Sequence, residues 1–171
     1  MPPDITIPGV NDSKKVTPPE RERLAELIKE TAVAYRIEFI EAELIDKVGI
    51  QTAILWAMSR AAIHIDAPNG KPDSLLIDGK QPKEKLLEGL NGISRFIIKG
   101  DSASHSIAAA SIIAKVERDS YMKAMHRLYP AYGFDQHKGY GTTTHVDAIR
   151  QHGVCPLHRK TFLKKIEGVD A

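Results

Sequence analysis

The chain has 171 residues, 42% of them hydrophobic and 27% charged, with a formal net charge of +2. That length suits one domain with a sizeable core, and so small a net charge does not announce a nucleic-acid binder, so the placement of the charges matters more than their sum. The single cysteine, Cys155, excludes an intramolecular disulfide and any multi-cysteine zinc site.

Residues 1–16 read as loop, rich in proline and polar side chains. The opening "MPPDITIPGVNDSKK" lacks the apolar stretch of a signal peptide. No apolar run approaches the roughly 20 residues that span a bilayer. The expectation is a reducing, cytoplasmic protein with no membrane partner.

A helix should start at "TPPERERLAELI" and run to about residue 31. Thr17 can cap it, Pro18 sits where a missing N–H is harmless, and Glu20 completes a T-x-x-E capping box. "AVAYRIEFI" (32–40) alternates Val33, Tyr35, Ile37 and Phe39 and reads as a half-buried strand. Residues 43–65 carry one helical stripe through Ile50, Ile54, Leu55, Met58 and Ala62. "SLLID" and "RFIIKG" are short apolar runs closed by turns and read as strands, with loop and a short helical piece between them over 80–93. Residues 102–129 form a long helical region opened by serines, whose small residues allow close packing. "PAYGFDQHKGYG" reads as a glycine-rich loop. "TTTHVDAIRQHG" is a short helix capped by threonine and closed by Gly153. The tail is basic.

Strands alternating with helices imply an α/β domain with at least two parallel strands. In such sheets sites gather beyond the carboxyl ends of the strands. Asp78 and Asp101 both follow apolar strands there. Neighbouring strands lie about 5 Å apart, and two carboxylates that close repel unless a proton or a cation separates them. A hard divalent cation with oxygen ligands is the common solution. Each aspartate alone reads more readily as a turn residue, Asp-Gly being a frequent turn pair; the two together bring the metal reading level with it, so the pattern by itself leaves both open.

Lys14, Lys15, Lys80, Lys99, Lys138 and the His158-Arg159-Lys160 run flank strand ends and loops. Any one of them reads as solvated surface; together, around a carboxylate site, they fit a polyanionic substrate. Tyr140 in the glycine loop can stack on a nucleotide or bond a ribose hydroxyl, or else simply pack on the core. The seven histidines show no metal-binding spacing, and there is no phosphate-binding G-x-x-x-x-G-K-[ST] loop.

Five segments, "NDSKK", "LLIDG", "IIKGDSASHSIAAASIIAKVERD", "YGFDQHKGYGT" and "HGVCPLHRKTF", occur in the order found in the type 2 ribonucleases H, the ribonuclease HII family, which the chain resembles from about Pro8 to Phe162. The resemblance implies a ribonuclease H-like mixed sheet flanked by helices, with a helical C-terminal part, in one domain over 1–171. It implies cleavage of the RNA strand in RNA–DNA hybrids and at ribonucleotides embedded in duplex DNA, leaving 5′-phosphate and 3′-hydroxyl ends, with Mg²⁺ or Mn²⁺ as cofactor. By the same resemblance Asp78 and Asp101 are two of four acidic metal ligands. Tyr140 contacts the ribose at the RNA–DNA junction, and Lys14, Lys15 and Lys138 lie beside the substrate. The full-length family is expected to be monomeric.

The family's opening strand, roughly G-x-D-E-A-G-R-G, and the strand after it have no counterpart here. Two of four acidic ligands should bind Mg²⁺ weakly, so the expectation is a weak or inactive nuclease, or else a non-catalytic nucleic-acid-binding fragment. "AVAYRIEFI" should lack its route into the sheet, leaving an unpaired edge and uncovered apolar surface.

Overall fold

The computed structural model describes residues 1–2, 4–68, 70–82, 90, 92–164, 166 and 168. The chain divides into two compact units, Met1–Phe39 with Ile54–Val116, and Ile40–Ala53 with Glu117–Ala171.

In the first unit, helix α1 spans Pro18–Thr31, with the proline at its start as expected. The capping box does not form: Thr17 makes no side-chain cap bond. Glu20 instead accepts from Arg23 Nε at 2.9 Å and Nη2 at 2.6 Å, one turn along. Leu24, Ala25 and Ile28 make the buried stripe of α1 and pack with Ile7, Ala109, Ile112 and Ile113. Burial of each large aliphatic side chain there contributes about 1.5–3 kcal/mol.

Strand β1 (Leu75–Asp78) and strand β2 (Ser94–Ile97) pair in parallel, with Leu75 opposite Ser94 and Asp78 opposite Ile97. They make up a two-stranded sheet among the described residues. Ile77 and Leu55 form its small core, with Leu90 and Phe96 against them. The expected helical piece over 80–93 lies largely outside the described residues.

"AVAYRIEFI" is not a strand. Residues 34–41 belong to no regular element. Alternation gives a segment two faces, but a strand exists only where its N–H and C=O groups find a ladder partner. None does so among the described residues.

The single stripe expected over 43–65 is two helices, α2 (Ala42–Val48) and α3 (Ile50–His64). They are separated by Gly49, whose φ of 81° suits glycine and stops the helix. The long helical region likewise breaks once. Helix α4 (Gly100–Ala103) ends at Ser104, which is extended at φ −130° and ψ 123°, and α5 runs His105–Leu128.

In the second unit, the stretch read as a glycine-rich loop holds a 3-10 turn, Pro130–Tyr132, and helix α6, Phe134–His137. Gly133 (φ 68°) and Lys138 (φ 52°) bracket α6 in the left-handed region. Helix α7 (Thr143–His152) follows expectation: Thr142 Oγ1 accepts from the His145 amide at 3.3 Å, and Gly153 closes it. Helix α8 spans Lys160–Leu163. Phe134, Met122, Tyr132, Ile149 and Leu163 form the core of this unit.

Candidate functional site

The parallel pair brings the two sequence-predicted aspartates to one end of the sheet. Asp78 is the last residue of β1. Asp101 lies past the end of β2, in the first turn of α4. Asp78 is tied to the residue before Asp101: the Gly100 amide donates to Asp78 Oδ1 at 2.7 Å. A side chain at residue 100 would crowd its neighbours, since its Cβ would fall 2.6 Å from Ile107 Cδ1 and 3.3 Å from Asp78 Oδ1. Lys99 adopts φ 56° to make this turn, a conformation disfavoured for a residue with a Cβ. The backbone is therefore bent so that Gly100 touches the first aspartate and Asp101 follows it.

The donor chemistry fits a hard divalent cation in kind, because carboxylate oxygens suit Mg²⁺ and Mn²⁺. It falls short in number. Among the described residues no group of three or more His, Cys, Asp or Glu side chains is placed to hold a metal ion.

Lys14 and Lys15 are exposed in the same unit. Their turn is set by Asp12, whose Oδ1 accepts from the Lys14 amide and whose carbonyl accepts from the Lys15 amide, both at 2.9 Å. His105, which the sequence did not single out, accepts the Ile7 amide at Nε2, 3.1 Å away, and so ties the amino-terminal loop to the start of α5.

Tyr140 and Lys138 belong to the second unit. The Tyr140 side chain is 65% exposed. Lys138 folds back on its own turn, where its Nζ donates to the carbonyls of Asp135 and Gln136. Behind the turn lies a feature that no sequence spacing announces. His137, His145 and His158, from three separate segments, are all buried around Phe134. The His137 and His145 rings stack with centroids 4.2 Å apart. His145 Nε2 and His158 Nε2 lie 3.1 Å apart. Burial, and then its histidine neighbours, hold His158 down to about 4, and burial lowers His145 as well. Beside them a cleft of about 190 Å³ is lined by Arg118, Gly139, Gly141, Arg159 and Phe162, among others. Burial and then Arg159 lower Arg118 from its ordinary value.

An α/β chain with one aspartate ending a strand and another just past the end of its parallel neighbour has the layout in which α/β enzymes gather their sites. The comparisons with known proteins narrow that class. Residues 3–165 match the family model described as ribonuclease HII. The chain is 45% identical over 162 residues to the ribonuclease HII of Endomicrobium trichonymphae, covering 95% of this chain and 74% of that protein. It is 44% identical over 166 residues to that of Caldanaerobacter subterraneus subsp. tengcongensis, covering 97% and 66%. Against the Clostridioides difficile enzyme it is 47% identical over 163 residues, covering 95% and 61%. The structure also matches the crystal structure of ribonuclease H2 from Pyrococcus horikoshii, with a TM-score of 0.72 and 26% identity over 90% of this chain and 76% of that one. The chain belongs to the ribonuclease HII family of ribonuclease H enzymes. It spans 61–74% of the length of the three curated relatives just named.

Proposed function

We propose that the chain acts on the RNA strand of RNA–DNA hybrids and on single ribonucleotides embedded in duplex DNA, as a metal-dependent endoribonuclease of low intrinsic activity. The reading rests above all on the Gly100–Asp78 hydrogen bond, which sets Asp101 one residue beyond the point of contact. Asp78 and Asp101 would hold the metal. When bound, a pair of Mg²⁺ or Mn²⁺ ions supplies activation of water and stabilisation of the departing 3′-oxygen. Tyr140, exposed on its turn, reads the ribose 2′-hydroxyl, the group that distinguishes RNA from DNA. Lys14 and Lys15 position phosphates. Lys138 joins them only by giving up its own turn's carbonyls.

A second reading, a nucleic-acid-binding chain without effective catalysis, is favoured by one observation: a metal-holding group of three side chains is missing among the described residues. Fewer carboxylates mean weaker Mg²⁺ binding. Cleavage of a DNA duplex carrying one ribonucleotide, assayed with Mn²⁺, separates the two readings. Slow cleavage that disappears in Asp101→Asn, with hybrid binding retained, supports the first. No cleavage with ribonucleotide-dependent binding supports the second. Cleavage that survives Asp101→Asn removes Asp101 from the site.

A further inference from the structure

We infer that His145 and His158 are positioning residues for Tyr140, holding its turn through a hydrogen-bond relay in which both imidazoles are neutral. The inference takes from the preceding section only the role of Tyr140.

The relay has one possible arrangement of protons. The Cys155 amide donates to His158 Nδ1 at 2.8 Å. That nitrogen must offer its lone pair, so His158 carries its proton on Nε2. His158 Nε2 then donates across 3.1 Å to His145 Nε2. His145 in turn carries its proton on Nδ1, which donates to the Tyr140 carbonyl at 2.9 Å. A backbone amide at one end and a backbone carbonyl at the other fix every donor between them.

The Tyr140 backbone is gripped from both sides. Its amide donates to the His137 carbonyl at 2.9 Å, and its carbonyl also accepts from the Thr142 amide at 2.8 Å. His137 has its own fixed tautomer. The Gly139 amide donates to its Nδ1 at 3.2 Å, so its Nε2 donates to the Tyr132 carbonyl at 2.7 Å. The turn needs such support, because Lys138 and Gly139 both have positive φ, 52° and 82°.

An added proton has nowhere favourable to go. On His145 Nε2 it would face the His158 N–H, and on His158 Nδ1 it would face the Cys155 amide. The groups facing the pair are the stacked His137 ring, the Tyr132 ring 5.0 Å from His158, Cys155, and Arg118 and Arg159 in the adjoining cleft. None of the described residues lining that cleft is a carboxylate that would favour an imidazolium. The depressed proton affinity of both rings agrees with this geometry.

The test uses the whole 171-residue chain, labelled with nitrogen-15 at histidine. At about pH 7.5, above the ordinary histidine range, long-range proton–nitrogen spectra should place the proton on Nδ1 of His145 and Nε2 of His158. The opposite tautomer, or an imidazolium at either ring, overturns the relay. His145→Phe should speed amide exchange at Tyr140 and Thr142 about tenfold, the scale of one buried hydrogen bond. His145→Gln, which can still donate to the Tyr140 carbonyl, should restore most of the protection. Unchanged exchange in the phenylalanine variant overturns the inference. Should that variant not fold, acid titration of the unaltered chain decides. Protection at these two amides should fall as His158 takes its proton, and by more than in α1; an equal loss at both sites, or no loss at either, overturns the relay.

Binding, measured in EDTA to a DNA duplex with one ribonucleotide and to the same duplex without it, separates the two levels. His145→Phe should lower the preference for the ribonucleotide about tenfold with little change in affinity for plain DNA. A preference lost in Tyr140→Ala but kept in His145→Phe overturns the positioning role. A preference kept in Tyr140→Ala, with the exchange results as expected, leaves the relay standing and removes Tyr140 as the reader.

Discussion

Gly100 is closely hemmed in at the candidate metal site. A methyl group there would press on the flexible tip of Ile107, which can move, and come within 3.3 Å of Asp78 Oδ1, which its hydrogen bond from the Gly100 amide holds in place. Gly100→Ala should therefore destabilise the first unit by about 1–3 kcal/mol, the range for overpacking, and push the two aspartates apart. Urea unfolding and Mn²⁺ titration check the two effects; unchanged values in both would show that the close approach is not needed. The buried histidines make a second residue-level prediction, about acid. The folded chain holds His158 down to about 4 and His145 below its ordinary value, while the unfolded chain protonates both near 6.5. Between those limits the unfolded state binds more protons, so stability is full above about pH 6.5 and falls as pH drops toward 4. Glu20 and Glu38, held below the ordinary carboxylate value chiefly by hydrogen bonds from Arg23 and Arg36, lose their contributions only at lower pH. A denaturant series from about pH 7 to 4.5 should thus show a slope that flattens in His158→Gln.

Elements differ in how much of their structure a local stretch of sequence carries. Helix α1 announces itself by prolines at its start and an i, i+1, i+4 apolar stripe, and the strands β1 and β2 by short apolar runs, Leu75–Ile77 and Phe96–Ile98, closed by turns. Asp78 and Asp101 were legible for that reason: their place depends on the ends of locally encoded elements. The interruption at Gly49 was not, because the apolar period continues across it and only the glycine's φ stops the helix. Nor was the histidine cluster. It joins α6, α7 and the segment before α8, and no period in the sequence relates them. The "AVAYRIEFI" stretch fails in the opposite sense, since its alternation is complete but its partner is not supplied by its neighbours. Asp46 makes the same point between elements. Lying in α2, it accepts from the Lys160 and Thr161 amides at 2.7 and 3.0 Å and from the Thr161 hydroxyl. Burial works to raise its proton affinity, but these bonds from Thr161 and Lys160 outweigh it and hold the carboxyl low. It is a cap for α8 delivered from 114 residues away. Asp46→Ala should cost about 0.5–2 kcal/mol, the usual range for a lost cap. Exchange at Lys160 and Thr161 should rise while α7 is unaffected, and a uniform loss of protection would mean Asp46 supports more than α8.

At the level of the whole molecule the question is what the uncovered apolar surface does. Val33, Tyr35 and Phe39 are each about half exposed, at 49%, 48% and 49%. They lie in or beside a segment whose backbone, over 34–41, joins no ladder among the described residues. Trp56 and Ile63 in α3 are also exposed, at 39% and 43%. An alternating segment that joins no ladder among the described residues can serve as a template for a second strand. Covering exposed apolar side chains adds a driving force of about 25 cal/mol per Å². The net charge of +2 offers little electrostatic repulsion between copies. A second copy of the same chain, presenting the same segment, meets all three conditions, and antiparallel pairing of the two segments would be self-complementary. The chain should therefore associate with itself as concentration rises, in contrast to the monomer expected of the full-length family. Sedimentation velocity over a concentration series should show this, together with binding of an apolar dye. Replacing Val33 and Phe39 by lysine should weaken both effects while leaving the α1 core, whose members are Leu24, Ala25 and Ile28, undisturbed. A chain that sediments as a monomer throughout and binds no dye would show that the exposed side chains do not act together as a surface and that the segment does not recruit a second strand.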